Sequence, residues 1–328
     1  MFIKDGEELR KVYERAKDNG YAFVASNFAE PNVLIGLVEG ADRKNSDLVL
    51  QLSRSACEFA GNGDALRGLK ALGKYIEEIA GNYDIGVFLN MDHLKDLDFI
   101  DQVTETGIPS SIMIDASEEP FEKNVEKSKR AKEICRKKNI LVEAELGRIK
   151  GAEDRVQSLQ TYYTKPEEAV EFVDRTDCDL LATSIGTQHG VSKGKNLDLK
   201  MDIASEVDKR LIEEGLERPL VIHGSSGLTR DQMKKLAGMG ISKFNKDTRY
   251  QYEYARAAFE FYREHEGEIL PPDGMDEEID VFSTEGDWTP KKDVFDPRVV
   301  SKSIRERISK VLAELTEVTG SAERSLYI

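Results

Sequence analysis

The sequence predicts an α/β fold, and within that class a (β/α)8 TIM barrel formed by a single domain. Short apolar runs rich in β-forming residues alternate with longer helical stretches as far as about residue 250, the pattern of repeated βα units around a parallel sheet. There are eight such runs, and a polar or ionisable residue follows each of them. In a closed barrel the carboxyl ends of all the strands meet at one mouth, where barrel enzymes carry their catalytic groups. An open sheet would instead spread these residues along an edge.

The elements follow one another at the spacing that βα units require. Residues 1–17 are expected to form an amphipathic helix ahead of the barrel. Later helices are predicted at 121–138 and at 166–173, the second with Thr164 as its N-cap. The eight predicted strands are 21–26, 48–52, 85–89, 111–114, 140–144, 180–185, 220–222 and 242–244.

The barrel is expected to span about 20–265 and to be followed by an extension over about 266–328. The first part of this extension, 266–297, is rich in Pro, Gly and Asp, holds the only tryptophan, Trp288, and predicts irregular structure. A closing helix over about 299–317 is expected to pack on the barrel or on a partner subunit. Its apolar face consists of Val300, Ile304, Ile308, Val311 and Leu312.

Charge and cysteine content exclude several classes of partner. The chain has 47 Lys and Arg against 62 Asp and Glu, a formal net charge of −15, which repels nucleic acid and anionic membrane surfaces. Cys57, Cys135 and Cys178 are scattered, so they indicate a reducing compartment rather than a disulfide framework. The N-terminus has no leader pattern, and no window approaches ~18 uninterrupted apolar residues. We therefore expect a cytoplasmic protein that binds neither nucleic acid nor membrane.

Histidines stand at the ends of three predicted strands. His93, His189 and His223 follow the third, sixth and seventh runs, whereas His265 lies beyond the strands. A single histidine is more often structural. Three imidazoles that meet at one barrel mouth, however, match a catalytic zinc site whose fourth position is open to water or substrate. We expect Zn2+ here, with Glu145 of the run VEAELG as a candidate additional ligand.

Two carboxylates near these histidines are candidates for proton transfer. Asp92 directly precedes His93 and, taken alone, is as often a turn residue or the N-cap of the next helix. Beside a dication, a carboxylate can exchange a proton with a substrate hydroxyl. Glu153 lies in GRIKGAEDR beyond the fifth strand. Most glutamates on such segments are solvated, but mobility at the mouth would let this one close over a substrate as a base.

Turns suited to phosphate follow the seventh and eighth strands. The run VIHGSSG spans 221–227 and the run KFNKDT covers 243–248. In (β/α)8 barrels the loops after these two strands are the usual phosphate site, where backbone N–H groups surround the anion. Each turn alone is a weak signal. Together they predict a phosphate-bearing substrate, with Gly190 and Lys193 on the same rim.

These runs together resemble one enzyme family. MDH, SIMIDAS, VEAELG, GTQHGVSKGK, VIHGSSG and NKDT occur in the order and at the spacing of the class II, zinc-dependent fructose-bisphosphate and tagatose-bisphosphate aldolases, from Asn27 to the DPR at 296–298. The stretches NKDTRYQYEYAR and TEGDWTPKKDVFDPR resemble the archaeal branch. The resemblance implies reversible cleavage of fructose 1,6-bisphosphate to dihydroxyacetone phosphate and glyceraldehyde 3-phosphate through a zinc-stabilised enediolate.

The resemblance also implies roles for the metal-binding and catalytic candidates. The metal ligands are His93, His189 and His223, with Glu145 as a fourth in one metal position; Asp92 handles the proton of the C4 hydroxyl, Glu153 is the base at the dihydroxyacetone-phosphate carbon, and Asn245 contacts the enediolate.

Substrate-binding roles are implied in the same way. Asn27 and Ser53 match positions that reach the far part of the sugar. A monovalent cation is implied beside the C1 phosphate. The implied cradle of that phosphate is Gly190, Lys193, Gly224, Ser225, Ser226, Gly227, Asp247 and Thr248.

Two positions depart from the common family pattern. Asn90 replaces a histidine that many members have, but it occupies no ligand position, so metal binding is expected to survive. At 52–56 the chain has LSRSA where relatives often have a Ser-Gly-Gly turn. We expect Arg54 either to bind the distal anion of the substrate or to pair with Glu58 or face solvent.

Three alternatives stay open on the sequence alone. The same chemistry is possible on tagatose bisphosphate or on a sugar with another distal anion. Lys193 is a candidate Schiff-base lysine of the class I kind, although the three histidines argue against it. The third alternative is a barrel hydrolase or a non-catalytic sugar-phosphate binder; however, ASNFAE after the first strand offers no H-x-H, and a mere binder has no use for Asp92. The expected assembly is a homodimer or homotetramer.

Overall fold

The computed structural model describes residues 1–153, 156–158, 161–190 and 197–328, with the backbone alone at 150, 152–153 and 156–158. Its strands are β1 (Phe23–Asn27), β2 (Leu48–Ser53), β3 (Val87–Leu94), β4 (Ser111–Ile114), β5 (Leu141–Leu146), β6 (Lys150–Glu153), β7 (Val156–Ser158), β8 (Leu180–Thr183), β9 (Gln188–His189), β10 (Leu220–Ile222) and β11 (Ile241–Lys246). Its α-helices are α1 (Gly6–Asp18), α2 (Pro31–Asp42), α3 (Arg54–Ala60), α4 (Ala65–Ala80), α5 (Leu97–Thr104), α6 (Phe121–Arg136), α7 (Pro166–Thr176), α8 (Asp202–Glu213), α9 (Arg230–Ala237), α10 (Thr248–Glu264), α11 (Glu266–Ile269), α12 (Lys292–Phe295) and α13 (Pro297–Thr319).

The predicted (β/α)8 barrel is confirmed. Eight strands form a closed barrel in the order β1-β11-β10-β8-β5-β4-β3-β2, and every neighbouring pair is parallel. Closure occurs between β1 and β11, where Ala25 lies opposite Asn245. A small sheet of three strands, β7-β6-β9, was not predicted. Because β6 pairs with β9, this sheet brings the segment after β5 against His189.

Five of the barrel strands, β1, β2, β3, β5 and β11, extend further at their carboxyl ends than predicted. Strand β3 continues to Leu94, so that Asp92 and His93 lie within it, and β11 continues to Lys246 and includes Asn245. Thr164 is not the N-cap of α7, a position that Lys165 occupies. Its hydroxyl instead donates to the backbone oxygen of Leu146, which ties the end of β5 to the segment before α7.

Helix α1 closes the amino-terminal end of the barrel. It begins at a good cap, because the Asp5 carboxylate accepts from the backbone N–H groups of Glu7 and Glu8. Its apolar face packs in one cluster with inward side chains of the strands, such as Phe23 and Phe88. The bottom of the barrel is therefore filled by side chains, and the chemistry is confined to the opposite mouth.

Helix α13 packs against the outside of the barrel, which was one of the two arrangements predicted for it; the other was packing on a partner subunit. Each of its five predicted apolar residues is buried. Gly36 and Gly40 of α2 let the two helices approach closely: a Cβ at Gly40 would lie 2.6 Å from the backbone oxygen of Ser309. Between the barrel and α13 lies an exposed excursion that contains α11, a π-helical turn at Glu277–Val281 and α12. Within the described residues, no helix is long and apolar enough to cross a membrane.

Candidate active site

The three histidines come together at the mouth of the barrel. His93 lies in β3, His189 ends β9, and His223 directly follows β10. The ring centroids are 4.8 Å apart for His93 and His223, 5.3 Å for His93 and His189, and 6.1 Å for His189 and His223. Ring nitrogens of all three lie within 4.8 Å of one another, so these side chains can hold one metal ion.

A local distortion of β3 turns His93 towards this cluster. His93 has φ +49°, in the left-handed region that non-glycine residues seldom adopt, and the register of β3 with β4 shifts between Met91 and Leu94. In a regular strand, adjacent side chains point to opposite faces. The bulge therefore allows Asp92 and His93, which are neighbours in sequence, to serve the same site.

Carboxylates fix two of the imidazole rings from behind. Nδ1 of His93 lies 3.1 Å from Oδ2 of Asp115, and Nε2 of His223 lies 2.6 Å from Oε1 of Glu143. The second oxygen of Glu143 accepts from the ammonium of Lys243. The nitrogens left over, Nε2 of His93 and Nδ1 of His223, face each other at 3.1 Å. Metal-binding histidines commonly have such outer partners, which select the tautomer.

The ionisation of the site shows a shortage of positive charge. Burial, with a further contribution from Asp115, raises the pKa of Glu145 to about 8. One oxygen of Glu145, Oε2, has no hydrogen-bond partner in the described part of the chain. Burial acts to lower the pKa of His93, but Asp92, Asp115 and Glu145 raise it to about 10. Two groups of donor atoms lie close enough to hold a cation, one on the three histidines and one on His93, Asp115 and Glu145. A divalent cation at either would supply the missing charge, so the donor set fits a metal ion.

Asp92 lies beside the histidines and is held by amides. Its side chain is 2% exposed. Oδ2 accepts from the side-chain amides of Asn27 at 3.0 Å and Gln51 at 3.4 Å, and Oδ1 accepts from Asn245 at 3.3 Å. The alternative that Asp92 caps the following helix is wrong, because Asp96 caps α5. A buried carboxylate held by neutral donors next to a metal site suits proton transfer.

Asn245 connects Asp92 with the histidines. Its Nδ2 lies 3.1 Å from the ring nitrogens of His223 and reaches Asp92 on the other side. Its Oδ1 is buried and has no hydrogen-bond partner among the described residues. The amide thus lies where it can contact a ligand of the proposed metal.

The predicted phosphate turn is a short 3-10 helix, Ser225–Gly227, after β10. Gly224 has φ +60°, and a Cβ there would lie 2.6 Å from the carbonyl carbon and oxygen of Gln188. This close approach places the turn against β9, beside Gly190. The Ser225 hydroxyl donates to the backbone oxygen of Asn245 at 2.6 Å, so the turn is also fixed to β11.

The other predicted phosphate residues begin α10. Asp247 precedes this helix, and Thr248 is its first residue. The amino-terminal end of an α-helix offers unpaired N–H groups and a partial positive charge to an anion. The structure thus brings the turn after β10 into contact with the ends of β9 and β11, and α10 begins directly after β11.

A cavity of about 370 Å³ opens beside Asn27, whose amide donates to Asp92. Asn27 and Ser53, the two residues predicted to reach the far part of the sugar, line this cavity. Asp247, a predicted phosphate residue, lines it as well. Much of the remaining lining is apolar or aromatic, including Phe28 and Tyr254. An apolar cavity with a few polar groups on its wall is typical of small-molecule sites.

Arg54 does not line this cavity. Its Nε donates to Oε1 of Glu58 at 3.1 Å, and its guanidinium carbon lies 4.5 Å from the ring centroid of Phe99. Asp96 is a second ion-pair partner at 3.6 Å. The structure thus favours the predicted alternative, in which Arg54 pairs with Glu58, over direct contact with a distal anion.

Two predicted residues fall outside what the structure describes. Lys193 lies outside the described residues, and so does the side chain of Glu153. The backbone of Glu153 ends β6, in which Gly151 pairs with His189. The segment that carries Glu153 thus runs beside a metal-binding candidate.

Sequence reasoning assigned no role to three residues that support the histidines. Asp115 directly follows the predicted strand 111–114, so its place at a strand end could have indicated that it belongs to the site. Glu143 is two residues before Glu145, so the strand period of two places both on the inner face. Lys243 gave no signal, because its partner Glu143 is distant in sequence.

Comparison with known proteins gives matches over nearly the whole chain. The family model described as "Fructose-bisphosphate aldolase class-II" matches residues 7–324. The chain is 29% identical to a fructose-bisphosphate aldolase of Staphylococcus aureus over 320 residues, 97% of this chain and 98% of that protein. The solved fructose-bisphosphate aldolase of Campylobacter jejuni superposes with a TM-score of 0.82 at 26% identity, covering 99% of this chain and 97% of that one. The YdjI aldolase of Escherichia coli K12, at 24% identity and a TM-score of 0.72 over 97% and 98% of the two chains, shares the fold.

Proposed function

Since the chain belongs to the class II fructose-bisphosphate aldolase family, and is therefore an aldolase, we propose that it reversibly cleaves fructose 1,6-bisphosphate to dihydroxyacetone phosphate and glyceraldehyde 3-phosphate. The observation that carries this proposal is the pair of facing nitrogens on His93 and His223, 3.1 Å apart, beside the buried carboxylate of Asp92. This arrangement suits a ketose whose carbonyl and C4 hydroxyl must be handled together.

Zn2+ is the proposed metal. His93, His189 and His223 would hold it, with Glu145 as a further ligand in one metal position. When bound, the ion supplies Lewis-acid chemistry that polarises the ketone and stabilises the enediolate charge. Imidazole ligands also suit cobalt and manganese, so the donor set alone does not select among these ions.

The protein groups move the protons. In the cleavage direction Asp92 accepts the proton of the C4 hydroxyl, held in place by Asn27 and Gln51. The C3–C4 bond then breaks and releases the aldehyde. Glu153, or a water that it positions, protonates the enediolate to give dihydroxyacetone phosphate. Asn245 contacts the enediolate through its amide.

The C1 phosphate is proposed to bind at the ends of β9, β10 and β11. Asn27 and Ser53 would contact the far part of the sugar in the cavity. A monovalent cation beside the phosphate is part of the same proposal, tested by comparing activity in sodium, potassium and tetramethylammonium salts. The proposed cradle consists of Gly190, Lys193, Gly224, Ser225, Ser226, Gly227, Asp247 and Thr248.

We also propose a cytoplasmic location and a homodimer or homotetramer. The described thiols of Cys57, Cys135 and Cys178 are free and buried, and burial raises the pKa of each. Such cysteines are consistent with a reducing compartment. Sedimentation velocity would give the number of subunits.

A coupled assay tests the main proposal. Fructose 1,6-bisphosphate should be cleaved by the zinc-loaded protein, prolonged EDTA treatment should abolish turnover, and added zinc should restore it. Borohydride with dihydroxyacetone phosphate should leave the enzyme active, because no Schiff base forms. Chelator-resistant turnover together with a covalent adduct at Lys193 would show class I chemistry instead.

One observation favours a second candidate substrate. The described residues that line the distal cavity include no lysine or arginine, and Arg54 is held by Glu58 and Phe99. The same reaction on a ketose phosphate with another distal group is therefore the favoured alternative. Tagatose bisphosphate, which keeps the distal phosphate and differs only at C4, is an alternative that this observation does not distinguish. Comparison of kcat/KM for fructose 1,6-bisphosphate, its C4 epimer and fructose 1-phosphate separates these substrates.

A further inference from the structure

A buried lysine lies behind the phosphate turn. Lys246 is the last residue of β11 and is 3% exposed. Its Nζ donates to the backbone oxygen of Ser225 at 2.6 Å, which is a neutral acceptor. Lys243, on the same strand, is buried as well but pairs with Glu143. A buried ammonium without a counter-charge destabilises a folded protein, so Lys246 needs an explanation.

The charged groups near Lys246 have other partners or the same sign. Arg249, at the start of α10, adds a like charge; together with burial, the larger cause, it lowers the pKa of Lys246 to about 7. Glu253 pairs with Arg249 at 2.8 Å. Asp247 accepts from the side chain of Gln251 at 2.8 Å. Among the described residues, no carboxylate forms an ion pair with Lys246.

The carbonyl that Lys246 contacts belongs to the proposed phosphate cradle. The peptide between Ser225 and Ser226 is trans, so the N–H of Ser226 points away from the Ser225 oxygen and hence away from Lys246. Positive charge at the oxygen end of a peptide polarises its N–H and strengthens it as a donor. The backbone N–H of Leu228 donates to the same Ser225 oxygen at 3.1 Å, and the Ser225 hydroxyl fixes the turn to Asn245, so Lys246 acts on a peptide that is already held in place.

We propose that Lys246 is a positioning residue of the phosphate site, whose buried ammonium polarises the Ser225–Ser226 peptide towards the phosphate of the substrate. The bound phosphate in turn supplies the counter-charge that no carboxylate of the described residues gives Lys246. This inference rests on the proposed function, because it takes the turn as the cradle of the substrate phosphate. It adds to the proposed cradle a buried charged group that lies behind the turn.

Replacement of Lys246 is expected to lower the affinity for phosphate without lowering the stability of the anion-free protein. Without an anion, burial disfavours the charged form of the Lys246 amine and no described carboxylate pairs with it, so its replacement by an apolar side chain of similar length should leave stability unchanged or raise it. The same replacement should weaken phosphate binding. A lysine that served only as a hydrogen-bond donor to Ser225 would behave differently, because its removal would lower stability with or without phosphate.

Binding of inorganic phosphate to the EDTA-treated protein tests the proposal without catalysis. The variants are Lys246→Met, which removes charge and donor, and Lys246→Gln, which removes the charge but keeps a donor. Lys235→Met, at an exposed lysine on α9, is the matched control. By titration calorimetry, both Lys246 variants should raise the dissociation constant of phosphate about 10-fold or more, and the control should not. Thermal unfolding without phosphate should show Lys246→Met at least as stable as the parent.

A second readout compares two donors in aldol synthesis. KM for dihydroxyacetone phosphate should rise in both Lys246 variants, whereas KM for dihydroxyacetone, which has no phosphate, should stay near that of the parent. Recovery of phosphate binding in Lys246→Gln, or equal losses on both donors, would overturn the inference and show a purely structural bond. Phosphate affinity within twofold of the parent in an active aldolase would overturn it while leaving the proposed function intact. Loss of phosphate affinity in a protein without aldolase activity would instead uphold the anion site and refute the aldolase assignment.

Discussion

At the scale of single residues, the histidine cluster is surrounded by more buried negative charge than Lys243 neutralises. Asp92, Asp115, Glu143 and Glu145 are each at most 4% exposed, and Lys243 pairs with Glu143 alone in this group. A buried carboxylate costs several kcal/mol unless it is paired, protonated or bound to a metal. The metal-free site satisfies this requirement partly through protons, as the raised pKa of Glu145 shows. Such a site is destabilising by itself and is expected where a cation binds.

The first prediction concerns Asp92, the carboxylate with amide neighbours. Asp92→Asn keeps the shape of the side chain but removes the base, so kcat for fructose 1,6-bisphosphate should fall roughly 10²-fold or more. Zinc content, measured by atomic absorption, should stay near that of the parent because Asp92 is not among the proposed ligands. Steady-state kinetics gives the effect on turnover.

A nearby carboxylate provides the matched control for Asp92. Asp96→Asn changes an aspartate that caps α5, and asparagine is an equally good cap, so kcat and stability should stay near those of the parent. Full turnover in Asp92→Asn would mean that Asp92 only orders Asn27 and Asn245, and another group would have to accept the C4 proton.

At the scale of elements, the strands were predictable and the loops between them were not. Each barrel strand is an apolar run with a polar end, which is visible in the sequence. The sheet β7-β6-β9 has no such periodicity in its sequence. It forms because β6 pairs with β9, where Gly151 lies opposite His189. The position of His93 inside β3 depends on a bulge, which period-two alternation does not reveal. The direction of Arg54 depends on Phe99 and Asp96 of a later βα unit.

The candidate site shows the same division. Convergence of His93, His189 and His223 followed from their places after predicted strands, because a barrel brings strand ends together. The partners that orient the rings, such as Glu143, could not be identified, since pairing across the barrel depends on strand order and register. Sequence thus predicted which side chains meet, while the structure was needed to show which hydrogen bonds they form.

A prediction at this scale tests the contact between α2 and α13. Gly40→Ala adds a Cβ that would lie 2.6 Å from the backbone oxygen of Ser309 and 3.1 Å from Cβ of Leu312. Because a backbone atom cannot yield cheaply, the helices must separate, and we expect a loss of about 1–3 kcal/mol in the free energy of unfolding. Urea denaturation measures this loss.

Another helical glycine serves as the control for Gly40. Gly267→Ala, in α11, adds a Cβ that would meet no described atom within 4 Å, so it should be neutral or slightly stabilising. If the two variants were equally stable, α13 would not be packed against α2 as tightly as the geometry indicates.

At the scale of the whole molecule, both ends of the chain are part of the packed structure. Helix α1 fills one end of the barrel, and α13 covers α2 on the outside. The segment after α13 is bound by Asp47. Its carboxylate accepts hydrogen bonds from the Ser325 hydroxyl at 2.6 Å and from the backbone N–H of Leu326 at 2.9 Å. These contacts join residues far apart in sequence, so we propose that the barrel and α13 unfold as one unit, a single domain from which the excursion projects.

The last prediction separates the excursion from this cooperative unit. The backbone N–H of Lys291 donates to the backbone oxygen of Glu268 at 2.8 Å, so the two ends of the excursion are adjacent. Replacement of 272–289 by a short Gly-Ser linker should therefore change the midpoint of thermal unfolding by only about 2–3 °C, since the removed residues are largely exposed. Truncation after residue 296 removes α13 and should abolish cooperative unfolding. Its five buried apolar side chains contribute roughly 1.5–3 kcal/mol each, a sum comparable with a total stability of about 5–15 kcal/mol. Sedimentation velocity on the linker variant shows whether any larger change in midpoint comes from a lost subunit contact. A stable, cooperatively folded truncation would refute the single unit.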